Sequence, residues 1–155
     1  MTVVRPAREE DLDAIARFEV EIARVSFGDA AIVDQEFHRN RVRKALGGER
    51  EGLFVALRDD DQEPCGWVWI SLRTNFLTQE PYGNLRSLAV AEDAEGSEVG
   101  AALAEAALDF VRPFGVAEVS GRVHVSNLPM RTLYRRLGFE AEHLTMRKKI
   151  AGDVA

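Results

Sequence analysis

The stretch from Leu88 to Leu103, LAVAEDAEGSEVGAAL, constrains the fold more than any other part of the chain. An apolar, β-prone run (Leu85–Val90) enters a turn containing Gly96 and Gly100. A helical stripe of Val99, Leu103, Ala106 and Phe110 follows, stopped by Pro113 and Gly115. Val116–Val125 then alternates, with Val119, Gly121, Val123 and Val125 on one face. A strand, a helix and a second strand in succession require a crossover, and so a parallel step in a sheet covered by helices. An α/β class follows.

The remaining periodicities extend that frame. Thr2–Arg5 is a short β-branched segment halted by Pro6. Leu12, Ile15, Phe18, Ile22 and Val25 recur at helical steps, with Glu9, Glu10 and Asp11 favouring the helix start and Gly28 breaking its end. A second helix is expected from about Asp34, an N-cap residue, to Leu46. Its His38, Arg39, Arg41, Arg43 and Lys44 read either as a solvated face or as a patch for an anionic partner. Leu53–Arg58 and Cys65–Arg73 read as an antiparallel hairpin, with Cys65, Trp67 and Trp69 sharing one face as core. Thr74–Gly83 reads as a polar connection, and Phe139–Ile150 is expected to close the chain with one or two strands. The sum is a mixed central sheet of six to seven strands flanked by about four helices. No repeat or linker composition interrupts residues 1–155, so a single domain is expected.

Charge and cysteine content exclude several functions. Lys and Arg number 20 against 26 Asp and Glu, a net charge of −6, which disfavours general nucleic-acid binding and suits cationic or amine-bearing partners. Cys65 is the only cysteine, and His38, His124 and His143 have no zinc-ligand spacing, so neither an intrachain disulfide nor a structural metal site is expected. No run is long and apolar enough for a membrane span, and the first residues lack a signal-peptide stretch. A soluble, cytoplasmic protein with no membrane association is the expectation.

Asn127-Leu-Pro-Met-Arg-Thr-Leu-Tyr134-Arg-Arg-Leu-Gly138-Phe139 has a helix start at Asn127 and Pro129 and a stop at Gly138. Tyr134 lies on its apolar stripe with Met130, Leu133 and Leu137, so it reads as packed, its hydroxyl near a partner or solvent. This motif, the Leu88–Leu103 segment and the opening VVRPAREEDLDAIARFE together resemble the GNAT superfamily of acyl-CoA N-acyltransferases. The resemblance implies that Leu88, Ala89 and Val90 pair with the pantetheine of acetyl-CoA and orient its carbonyl. It implies that Glu95, Gly96, Ser97, Glu98, Val99, Gly100 and Ala101 present backbone amides to the pyrophosphate. Asn127 would lie by the pantetheine arm, and Tyr134 by the sulfur, protonating the departing thiolate. The implied activity is direct acetyl transfer from acetyl-CoA to the amine of a small molecule or peptide, by a monomer or homodimer.

The phosphate loop departs from the family pattern, because Glu95 replaces a basic or amide residue and Glu98 a glycine. A carboxylate about 6 Å from a phosphate charge costs roughly 0.7 kcal/mol at water-like dielectric and about 3 kcal/mol at an effective value of 20. A second reading follows, in which the same fold serves as a non-catalytic binding or regulatory module, its acidic loop impairing coenzyme A binding. A third keeps catalysis with a different acyl donor. Asn84 stands where some relatives place a basic glutamate, which leaves His124 as the best candidate base, against a structural histidine or a water relay. Acidic residues in Ser26–Asp34 and Glu140–Thr145 hint at a cationic acceptor.

Overall fold

The computed structural model describes residues 2–58, 63–94 and 98–151. Strands β1 (Thr2–Pro6), β2 (Glu51–Arg58), β3 (Gly66–Thr74), β4 (Pro81–Val90) and β5 (Val119–Gly121) form one sheet in the order β1-β2-β3-β4-β5. The first four are mutually antiparallel, and β5 runs parallel to β4. Helices α1 (Leu12–Phe27), α2 (Gln35–Ala45), α3 (Val99–Val111) and α4 (Leu128–Arg136) flank it. The crossover from β4 through α3 to β5 is the one that the Leu88–Leu103 segment calls for.

Period-two alternation divides β3 between two cores. Val68 and Ile70, with Leu85 and Leu88 of β4, pack on Leu103, Ala107 and Val111 of α3. On the other face, Leu53, Val55, Trp67, Trp69 and Ala89 meet Leu12 and Ile15 of α1 and Val42 and Ala45 of α2. Gly66 opens β3 where a Cβ would stand 2.9 Å from the Ala89 carbonyl oxygen and 2.9 Å from Leu103 Cδ1, so only glycine lets β3, β4 and α3 approach this closely. Asp11 accepts from Arg5 at 2.7 and 3.0 Å and from the Arg8 N–H at 2.8 Å, which fixes the entry into α1 against β1. The expected Asp34 cap is present, its carboxylate accepting the Glu36 N–H at 2.9 Å.

Three sequence expectations change. Cys65 packs with the α3-side core, apart from Trp67 and Trp69, because it precedes the first residue of β3 and alternation holds only within a strand. The hairpin between β3 and β4 tightens to residues 75–80, so Pro81–Gly83 joins β4. The sheet has five strands where six to seven were expected, since only Val119–Gly121 of Val116–Val125 pairs and residues 139–149 carry no regular secondary structure. Leu144, Met146 and Ile150 alternate as a strand would, yet are 86%, 85% and 77% exposed. Alternation specifies a face, but a strand also needs an edge to pair with and a core to cover.

Candidate active site

The register of β4 and β5 creates the central feature. The two strands pair only from Gly83↔Val119 to Leu85↔Gly121, after which β4 continues alone to Val90. From Arg86 onward β4 has no strand partner on that side among the described residues. Leu88, Ala89 and Val90 lie on this open edge. Their side chains pack into the two cores, so this stretch offers its open edge backbone groups, from alternate residues.

Tyr134 reaches the point where the strands part. Its hydroxyl lies 3.0 Å from the position a Cβ on Gly121 would occupy, beside Leu85, at the last paired rung. The ring is held edge-on by Phe139 at 4.9 Å between centroids, and the residue is 9% exposed. No hydrogen bond engages the hydroxyl among the described residues. Burial pushes its pKa up from 10.0 to about 12, so it remains a proton donor throughout the physiological range. The phenol is therefore neutral in the fold while the unfolded chain ionises near 10, and stability falls as pH rises between those two values, by roughly 3 kcal/mol if fully expressed. A difference titration at 295 nm between the native protein and Tyr134→Phe should show the missing phenolate only as pH nears 12. A step near pH 10 would mean that the hydroxyl is solvated.

The other expected residues separate into positions with and without a free functional group. Val99 and Gly100 are buried in the first turn of α3, and a Cβ on Gly100 would stand 2.8 Å from Leu133 Cδ2, so the missing side chain leaves room for Leu133 of α4. Ala101 also lies in that first turn, whose amides have no partner within the helix, as an anion-binding helix start requires. Glu95, Gly96 and Ser97 lie outside the described residues. Glu98 occupies the N-cap of α3 at φ −77° and ψ −1°, an ordinary right-handed conformation, so replacing the family's glycine imposes no backbone strain here. Its carboxylate is exposed and caps nothing. Asp93, next to this loop, is gripped by Arg58 through two contacts of 3.0 Å.

Asn127 uses its side chain as the N-cap of α4, accepting the Met130 N–H at 3.3 Å. His124 lies in the exposed turn before α4. Its Nδ1 accepts the Ser126 N–H at 3.1 Å and meets the Ser126 hydroxyl at 2.7 Å. The ring nitrogen that a base would use is thus committed to the turn.

Across β4, on the face under α1 and α2, the structure assembles groups that sequence reading passed over. Glu19, 4% exposed, accepts the Ser87 hydroxyl at 3.0 Å and pairs with Arg41 at 3.2 Å. Burial raises its pKa above the usual carboxylate range, while Ser87 and Arg41 pull it back. Glu19 Oε2, the second carboxylate oxygen, has no hydrogen-bond partner among the described residues. The readable signal was a carboxylate between Ile15 and Ile22 on the apolar stripe of α1.

The family model for the acetyltransferase (GNAT) family matches residues 13–139. The chain belongs to this family. A mycothiol acetyltransferase of Stackebrandtia nassauensis is 35% identical over 89 residues, covering 57% of this chain and 28% of that protein. The match thus spans less than a third of the length of that curated relative. A Bacillus halodurans protein solved as a point mutant shares the fold at a TM-score of 0.85 and 20% identity, over 96% of this chain and 99% of that one. AAC(6')-Iy, solved in complex with the bisubstrate analogue CoA-S-monomethyl-acetylneamine, gives a TM-score of 0.77 at 17% identity, over 97% of this chain and 99% of that one. Among the described residues of this GNAT-family chain, no helix is long and apolar enough to cross a membrane, and no group of three or more His, Cys, Asp or Glu is placed to hold a metal ion.

Proposed function

We propose that the protein transfers an acetyl group from acetyl-CoA to the amine of a small molecule or peptide. The observation that carries this reading is the Tyr134 hydroxyl, neutral, buried and unengaged among the described residues, at the parting of β4 and β5. A thioester that entered this parting would supply an activated acyl group. The free edge of Leu88–Val90 would hold the pantetheine arm by strand-like hydrogen bonds and offer a backbone N–H to the carbonyl oxygen as it gains charge. The first turn of α3, around Val99–Ala101, would receive the pyrophosphate. Tyr134 would donate its proton to the departing sulfur, and Glu19, on the far side of β4, would accept the proton that the attacking amine loses. Membership of the GNAT family and the coenzyme A analogue in a neighbour of the same fold support the assignment.

The Glu98 carboxylate at the start of α3 favours a second reading, a non-catalytic module in which coenzyme A binding is lost. Calorimetric titration with acetyl-CoA separates the two. Micromolar binding, about −8 kcal/mol, followed by turnover in an amine screen, is the expected result. Absence of binding up to near-millimolar ligand sinks the acetyltransferase assignment and favours the module.

A further inference from the structure

We propose that the amine acceptor carries an anionic group, bound by Arg86 together with Arg41 and Arg73 at the polar end of the sheet face under α1 and α2. The inference rests on the acetyltransferase reading of the adjoining cleft and names the class of its acceptor. It runs against the cationic acceptor that the acidic loop segments suggest from sequence.

Strand geometry brings these residues together. Trp67, Trp69, Ser71 and Arg73 share one parity on β3, and Glu51 shares the parity of Leu53 and Val55 on β2. On β4 the register slips, with Trp69 opposite Ser87 and Ile70 opposite Leu85, so Arg86 is the extra residue of a β-bulge. The bulge turns two consecutive side chains, Arg86 and Ser87, to the same face. Arg86 stacks on Trp69 with its Cζ 3.9 Å from the ring centroid, and Ser87 donates to Glu19. Arg41 reaches the same indole from α2, at 4.9 Å.

The charge on this shelf is unbalanced. Arg41 and Arg73 both act on Arg86 as like charges, and their effect adds to that of burial in lowering its pKa. The opposing carboxylates are Glu19, on Arg41, and Glu51, 3.8 Å from Arg86. Among the described residues, three guanidiniums therefore meet two carboxylates in a chain whose net charge is −6. Like charges gathered on one face destabilise one another unless an anion joins them.

The donors are also unspent. Arg86 and Arg73 donate no hydrogen bond among the described residues, although Arg86 is only 24% exposed and is oriented by the buried Trp69. A guanidinium stacked on an aromatic face presents its N–H edge outward in the fixed fork that matches a carboxylate or phosphate. Ser71 Oγ, Trp69 Nε1 and Glu51 Oε2, on the same face, are buried without a hydrogen-bond partner among the described residues. Arg86 precedes Leu88 by two positions, about 7 Å along a strand. An amine placed for acetyl transfer at Leu88–Val90 would thus leave an anionic group a few bonds away within reach of Arg86.

Both tryptophans of the chain, Trp67 and Trp69, lie on this face, so their fluorescence reports on it. The protein should be titrated with inorganic phosphate and, separately, succinate at constant ionic strength, with and without saturating coenzyme A. Saturable quenching in the millimolar range is expected. Arg86→Gln should weaken it at least tenfold, and Arg73→Gln, at an exposed position that leaves the fold intact, several-fold. Arg24→Gln, at the far end of α1, should leave it unchanged. Preference for succinate assigns a carboxylate-bearing acceptor, and preference for phosphate a phosphorylated one. No saturable response in the native protein, or equal affinity in Arg86→Gln and Arg73→Gln, overturns the inference. Anion binding without any coenzyme A binding would overturn the acetyltransferase reading and leave the anion site standing, whereas coenzyme A binding without anion binding removes this inference alone.

Discussion

Tyr134→Phe should lower kcat by about 100-fold or more, within the range for loss of a positioned general acid, while changing acetyl-CoA affinity by no more than about twofold. The substitution retains the ring that Phe139 holds edge-on and removes only the hydroxyl beside Gly121 and Leu85. That hydroxyl has no hydrogen-bond partner to orphan among the described residues, so stability should change by less than about 1 kcal/mol. Burial keeps the proton on the phenol up to about pH 12, so the acid form is present wherever the reaction is assayed. Steady-state turnover with an amine from the acceptor screen, calorimetry with acetyl-CoA and a urea melt read the three quantities separately. Undiminished kcat would return Tyr134 to a packing role, and a large loss of stability would show that the hydroxyl supports the fold.

Trp67→Ala should destabilise the protein by about 3–5 kcal/mol, the usual cost of emptying a large buried aromatic site. Trp67 is fully buried on the middle strand, paired across the sheet with Val55 and Ala89 and 5.8 Å from the Trp69 ring. For a chain of this length the melting temperature should fall by about 10 °C or more. Trp67→Phe should cost about 1 kcal/mol, because the indole N–H it removes has no hydrogen-bond partner among the described residues, and its loss relieves part of the penalty of the smaller ring. Urea unfolding of the two variants checks the contrast. Equal losses would mean that the indole nitrogen is satisfied in solution and contributes to stability.

Much of the framework was legible because it depends on near neighbours in sequence. The stripe Val99, Leu103 is local, as are the caps at Asp34 and Asn127, and each appears where its chemistry puts it, while Gly115 closes a 3-10 turn (Arg112–Phe114) that extends α3. The two-sided burial of β3 was legible in part, with Trp67 and Trp69 on one face as alternation requires. It failed at Cys65, one residue outside the strand, and at Leu144, Met146 and Ile150, where a good alternating pattern found no partner strand among the described residues.

The candidate site divides along the same line. The sequence by itself determined the α/β order, the family and the residue types at Leu88–Val90, Val99–Ala101 and Tyr134, because helix periods, caps and turn residues act over a few positions. Only the tertiary structure decided that the Tyr134 hydroxyl meets the end of the β4–β5 pairing, that Ser87 of β4 finds Glu19 of α1 across 68 residues, and that a one-residue bulge turns Arg86 onto Trp69. Such contacts depend on strand register and on how helices seat on the sheet, and a register shift of one residue in β4 would send its side chains to the opposite face.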